Sequence, residues 1–288
     1  MIIYESIEAH DGISLRVARF EPQNKPVGIV HIIHGFGEGL AHYKEIAGFF
    51  VANGYACIVH DQRGFGEMPD MAPRQKKKAR GVIPGYVYLL EDIKTLRSKI
   101  ETWHPGVPVI LFGHSMGANI AANYLLKYPD NKLQYSKAIL EAPWLRLHRP
   151  LPKFTTSLAR LIGRASGKFT IQARLNLNDI SRNTDIIKTL GNDGVYHNRM
   201  SLRLYAEVVE AGEYALTNAA KITLPTLLLC PGADKIVCPE AIREFSARAG
   251  KNVNLVEYPD AYHCLHADIV NVEVMATVLD FCGEGVEV

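Results

Sequence analysis

Gly113-His114-Ser115-Met116-Gly117 follows the apolar run Val107-Pro-Val-Ile-Leu-Phe112 and precedes Ala118-Asn-Ile-Ala-Ala-Asn-Tyr-Leu-Leu126. This is Gly-x-Ser-x-Gly set on a strand, a turn and a helix, the context in which the motif has mechanical meaning. The serine sits on a sharp, strained turn, and its side chain projects from the carboxyl edge of a sheet. Residues flanking so tight a turn must be small, and Gly113 and Gly117 supply that room. The pentapeptide nominates Ser115 as a nucleophile and predicts where its partners lie.

Outward from it, strands and helices alternate. Residues 2–8 and 13–20 flank Asp11-Gly12 and read as a β-hairpin. Residues 28–33 form a buried-type strand that ends in His34-Gly-Phe-Gly37, and a helix follows at about 42–53. Strands are expected at 55–60, 107–112, 138–140, 225–230 and 253–258. Helices are expected at 86–103, 116–128, about 239–249 and near 265–282. Such alternation predicts an α/β fold with a mostly parallel sheet covered on both faces. Ligands bind beyond the carboxyl ends of its strands. Ser115, the loop from His34 to Gly37, Asp234 and the segment around His263 all follow strands, so they are expected at one edge.

Residues 145–219 break the alternation and read as helical or irregular, with no convincing strand. They carry eleven Lys and Arg against six Asp and Glu, a surplus of five, while the whole chain is only +2. The expected organisation is core 1–144, a helical cap 145–219 inserted after the sixth strand, and core 220–288. In the cap, Leu151, Phe154, Leu158, Leu161 and Ile162 recur at helical spacing, with Lys153, Arg160 and Arg164 largely elsewhere. That helix either packs its apolar face onto a pocket or touches a membrane or lipid aggregate, and one helix can do both. Residues 74–80 read as a solvated basic loop, with contact to acidic lipid head groups as the minority reading.

A serine hydroxyl is a weak nucleophile until a base removes its proton, and an imidazole suits that near neutral pH. A carboxylate must then orient the imidazole. In this fold the chain order is Ser, then Asp or Glu, then His. Asp234, in Pro-Gly-Ala-Asp-Lys-Ile-Val, and His263, in Tyr-Pro-Asp-Ala-Tyr-His, satisfy that order. The oxyanion hole is expected from the backbone N–H groups of Met116 and Phe36. Losing one such donor typically costs about 10²–10³ in rate. His266 competes with His263 but sits one turn into the expected last helix. Asp260 reads as a turn former that could substitute as the acid. His114 reads as packing rather than base, His34 as a brace for the oxyanion loop, and Arg63 as a tie between loops.

The whole chain resembles the monoacylglycerol lipase and lysophospholipase group of α/β-hydrolases. The resemblance rests on His34-Gly-Phe-Gly-Glu38 with Tyr43 downstream, Asp61-Gln-Arg-Gly-Phe-Gly66, Gly113-His-Ser-Met-Gly117, Gly232-Ala-Asp234, and Tyr262-His263 with an acid at Asp268. It covers roughly residues 10–282 and is weakest across 145–219. It implies Ser115 as nucleophile, Asp234 as acid, His263 as base, and Phe36 and Met116 as the oxyanion hole. Glu67 departs from the family, which usually continues toward a serine there, and the basic stretch after it is also unusual.

The expected activity is ester hydrolysis through an acyl-enzyme, on a monoacylglycerol, a lysophospholipid or a similar medium-to-long acyl ester, with no metal or organic cofactor required. A small-ester esterase, a thioesterase or a peptidase would use the same machinery, because cap and pocket choose the leaving group. A non-enzymatic ligand-binding protein on this scaffold is the third reading, and the intact serine, acid and histidine argue against it. The small net charge argues against nucleic acid as an obligate partner. The amino terminus shows no basic, apolar leader pattern. No segment reaches the roughly 18 apolar residues of a membrane span. Five scattered cysteines without a Cys-x-x-Cys pair predict a reduced, cytoplasmic protein. Cys264, next to His263, is expected to make activity sensitive to bulky thiol reagents.

Overall fold

Five short apolar segments, buried on both faces, fix the centre of the molecule in the computed structural model. It describes residues 1–68, 71–129, 133–150, 161, 163, 167–173 and 175–283. The sheet strands are β1 Ile2–Glu8, β2 Ser14–Phe20, β3 Ile29–Ile33, β4 Ala56–His60, β5 Val109–His114, β6 Lys137–Glu141, β9 Thr226–Pro231 and β10 Val253–Tyr258. Between β6 and β9 lie two shorter strands, β7 Thr170–Gln172 and β8 Arg199–Ser201.

The eight-stranded sheet runs in the order β1-β2-β4-β3-β5-β6-β9-β10. The β1–β2 and β2–β4 pairs are antiparallel, and every pair from β4 to β10 is parallel. The strand alternation divides the core cleanly. Ile29, Ile33, Leu111 and Leu228 face one layer, while Val30, Ile32, Phe112 and Leu229 face the other. A parallel sheet buried this way must read as nearly continuous apolar sequence, as β3 does apart from His31 and β5 does up to Phe112.

The fully described helices are α1 Lys44–Ala52, α2 Pro73–Ala79, α3 Tyr86–Trp103, α4 Met116–Lys127, α5 Thr184–Asn192, α6 Leu202–Asn218, α7 Pro239–Ala249 and α8 Asn271–Gly283. Three elements differ from expectation. β7 and β8 pair antiparallel within 145–219, where no strand was expected. The basic residues near 74–80 form the short helix α2 rather than a loop, and they are largely exposed. The last helix begins at Asn271. The segment before it, Leu265–Ala267, is a single tight 3₁₀ turn. There Asp268 is fully buried and accepts from the Arg182 backbone N–H at 2.8 Å and from its guanidinium at 2.8 and 2.6 Å, which ties the β6–β9 excursion to the last loop. The apolar stripe at 151–165 lies outside the described residues except for Leu161 and Gly163.

No described helix is long and apolar enough to cross a membrane.

Candidate active site

The turn after β5 places Ser115 at φ +54°, a left-handed conformation that is strained for a residue with a side chain. The strain is held from both sides. The Ser115 N–H donates to the Glu141 carbonyl at the end of β6 (2.9 Å), and its carbonyl accepts from Asn119 (3.0 Å) and Trp144 (3.1 Å). The two glycines are obligatory for a packing reason. A Cβ on Gly117 would stand 2.0 Å from the Ile33 carbonyl oxygen, and one on Gly113 would stand 2.6 Å from the Gly117 carbonyl oxygen. Helix α4 can therefore seat its first turn against the end of β3 only with glycine there. Gly117→Ala forces backbone apart, and its expected cost is about 3 kcal/mol or more. Thermal unfolding of the purified variant checks this as a lowered Tm.

His263 follows β10 and reaches across to the serine. Its Nε2 lies 2.8 Å from Ser115 Oγ, and its Nδ1 lies 2.7 Å from Asp234 Oδ2. The other Asp234 oxygen accepts the backbone N–H groups of Ile236 (2.6 Å) and Val237 (3.0 Å). The carboxylate is thus fixed by three donors and buried at 2% exposure. Burial alone would lower the His263 pKa. The Asp234 charge and hydrogen bond outweigh it and raise the imidazole above its ordinary value. Such a chain of contacts can take a proton from the hydroxyl onto the ring and stabilise the cation formed.

The loop after β3 is braced by neutral and charged groups with distinct jobs. His34 accepts the Gln62 N–H at Nε2 (2.9 Å), and its Nδ1 faces the Gly35 carbonyl (2.8 Å). Burial lowers its pKa, as expected for a neutral brace. Glu38 Oε2 accepts the Gly35 N–H at 2.7 Å and the Tyr43 hydroxyl at 2.6 Å. Asp61 Oδ1 accepts the Leu40 N–H at 2.8 Å, and a Cβ on Gly66 would stand 2.0 Å from Asp61 Cγ. Arg63 bridges Asp11 and Asp92 with two hydrogen bonds to each. Glu67 pairs with Arg16 at 2.8 Å.

Phe36 stands in this loop, its ring edge-on to Phe65 and Trp144 at 5.8 and 6.4 Å. No hydrogen bond engages its N–H among the described residues. Met116 opens α4, where a first-turn N–H has no intrahelical partner. Both groups belong to elements that flank Ser115.

His114 does not touch the serine oxygen. Its Nδ1 faces the Tyr43 hydroxyl at 3.3 Å and Glu38 at 3.5 Å. His266 turns to Glu141 instead, with Nδ1 at 2.9 Å from both carboxylate oxygens. Asp260 is exposed, and the ring nitrogen it would serve is taken by Asp234. Cys264 is buried, and burial pushes its thiol up to about 11, the opposite of a reactive thiolate. Burial works against the expected sensitivity to bulky thiol reagents.

Glu141 was missed from sequence. Its one signal is a charged residue closing the apolar run Ala138-Ile-Leu140, a pattern shared by many strand ends.

These groups open on a cavity of about 1020 Å³, lined by Phe36, Ser115 and His263 from the sheet edge and by Tyr196, Met200 and Tyr205 from the β6–β9 excursion. The family model for serine aminopeptidase, S33, matches residues 24–269. The chain belongs to that family. It is accordingly a serine hydrolase with the α/β-hydrolase fold.

Among family relatives, the chain is 25% identical over 271 residues to a monoacylglycerol lipase of Mycolicibacterium smegmatis, covering 93% of this chain and 91% of that protein. It is 27% identical to an uncharacterized abhydrolase domain-containing protein of Dictyostelium discoideum, covering 96% of this chain but only 28% of that longer one. The crystal structure of Paleococcus ferrophilus monoacylglycerol lipase superposes with a TM-score of 0.82 at 26% identity, over 93% of this chain and 98% of that one.

Proposed function

We propose that this chain hydrolyses medium-to-long acyl esters, with a monoacylglycerol or a lysophospholipid as the substrate. The observation that carries the proposal is the 2.8 Å contact between His263 Nε2 and Ser115 Oγ at the wall of a large cavity. Ser115 Oγ attacks the ester carbonyl and passes its proton to His263. Asp234 steadies the imidazolium, and the N–H groups of Phe36 and Met116 hold the oxyanion. His263 then protonates the departing alcohol. Water, activated by the same ring, releases the fatty acid.

The division into core 1–144, cap 145–219 and core 220–288 belongs to this proposal. It is supported by the cavity, whose walls come from both the sheet edge and residues 171–205. Aromatic and aliphatic side chains such as Trp144, Met200 and Ile180 suit an acyl chain. A substrate-length series tests the reading. Expected is kcat/KM rising from acetyl to long-chain glycerol esters; cleavage of acetyl esters alone would defeat the lipid assignment.

Aminopeptidase activity is the second reading, favoured by the family's description. A free substrate amine needs an acid to receive it. Among the described residues, the carboxylates lining the cavity are Glu38, already bonded to Gly35 and Tyr43, and Asp179, which sits 3.8 Å from Lys235. Both are engaged, which favours the ester.

The proposal extends to transient contact with a membrane surface. Leu161, Phe169 and Ile171 are exposed within the basic excursion, beside Lys168. Sedimentation with anionic liposomes at low salt should carry the protein down, with release as salt rises. No binding at low salt would remove this part. The five free cysteines suit a reducing cytoplasm.

A further inference from the structure

Behind the Ser115–His263 contact lies a second group of chemically active side chains that the hydrolytic steps do not use. One nitrogen of His114, a carboxylate oxygen of Glu141 and the Cys264 sulfur all lie within 4.8 Å of one another. All three residues are buried, His114 at 1% exposure. The His114 Nδ1 is turned to Tyr43 and Glu38, whereas its Nε2 is buried with no hydrogen-bond partner among the described residues. Buried ring nitrogens are ordinarily paired, so an open one on a ring grouped with a carboxylate and a thiol marks a place for a ligand.

We propose that His114, Glu141 and Cys264 form a binding site for a divalent ion of the zinc and cadmium class, and that filling it switches off the adjacent Ser115–His263 pair. Imidazole, carboxylate and thiolate are the donor set such ions take. Around a tetrahedral zinc the donors stand about 3.3–3.8 Å apart, so the three must close by about 1 Å. Two carboxylates stand near the His114 ring, Glu38 at 3.5 Å from its Nδ1 and Glu141 within 4.8 Å of its ligand nitrogen. Entry is through the large cavity, whose lining includes both His114 and Glu38.

When the metal–sulfur bond forms, the Cys264 S–H loses its proton to water, and no electrons are transferred. His266 gives way, since its Nε2 lies 3.4 Å from the Cys264 sulfur and its Nδ1 on Glu141. Each ligand is joined to the reacting groups. His114 precedes Ser115, Cys264 follows His263, and the Glu141 carbonyl accepts the Ser115 N–H. Drawing the ligands together shifts the serine and the imidazole, and a displacement of about 1 Å can cost about 10²-fold in rate.

The test titrates reduced, chelator-treated full chain with Cd²⁺ and follows the thiolate-to-cadmium charge-transfer absorption. Zn²⁺ inhibition of ester turnover is measured in parallel. Expected are one Cd²⁺ per chain, inhibition that EDTA reverses, and an absorption band absent from Cys264→Ser. In Cys264→Ala, Zn²⁺ inhibition, measured against that variant's own metal-free rate, should weaken at least about tenfold. Cys238, partly exposed and 3.3 Å from Glu240, is the competing thiol. A band that survives Cys264→Ser, one lost instead in Cys238→Ala, or no band with activity unchanged at stoichiometric Zn²⁺ would overturn the proposal. The absorption reports on the site whether or not the chain cleaves an ester, so failure here is distinct from failure of the hydrolase reading.

Discussion

Ser115→Ala is expected to lower kcat/KM for a long-chain ester by on the order of 10⁵–10⁶, the scale of removing a nucleophile from such a unit. The argument is geometric. The His263 ring has one nitrogen on Asp234 and the other on Ser115 Oγ, so without that oxygen the ring has no hydroxyl to activate. Stability should not fall with activity. The strain at φ +54° belongs to the backbone and is held by Glu141, Asn119 and Trp144 through main-chain hydrogen bonds that alanine keeps. Thermal unfolding should give a Tm equal to wild type or slightly above it, since active sites often trade stability for function. An inactive variant with a collapsed Tm would point to a folding defect instead.

Asp234→Asn carries the second largest effect. An amide at 234 can donate where the carboxylate only accepts, so it favours the ring tautomer whose proton points at the serine. Such a change costs about 10⁴ in kcat in comparable triads. The pH dependence supplies a second readout. The base must be neutral to work, so kcat/KM falls as pH drops through the His263 pKa. Asp234 raises that pKa above the ordinary 6.5 despite burial, so the wild-type acid limb should lie above pH 6.5. In Asp234→Asn the opposing influence is gone and burial remains, so the residual activity should keep its plateau to lower pH. A limb that moves upward, or does not move, would contradict the assigned role of Asp234.

The sheet was legible because a strand buried on both faces must be largely apolar, as Val109–Phe112 is throughout and Ile29–Ile33 is but for His31. The order of Ser115, Asp234 and His263 was legible because this topology fixes which strand ends meet. Other features depend on long-range contacts that no local pattern encodes. Strands β7 and β8 have three residues each, too few to alternate, and exist because they pair with each other. The turn at 265–267 stops short of the last helix because Asp268 is claimed by Arg182. The Glu141–His266 pair joins residues 125 positions apart. His266 could be ranked below His263 from sequence, but its actual partner could not be found there.

The central claim is that Ser115 is the acyl-accepting nucleophile of a cavity built for long acyl chains. Fluorophosphonate labelling followed by peptide mass spectrometry tests it most directly, with and without prior incubation with a long-chain monoacylglycerol. The account predicts one label per chain on the peptide carrying Ser115, slowed by the long-chain ester and absent from Ser115→Ala. A label on another residue, or one that persists in Ser115→Ala, would contradict it.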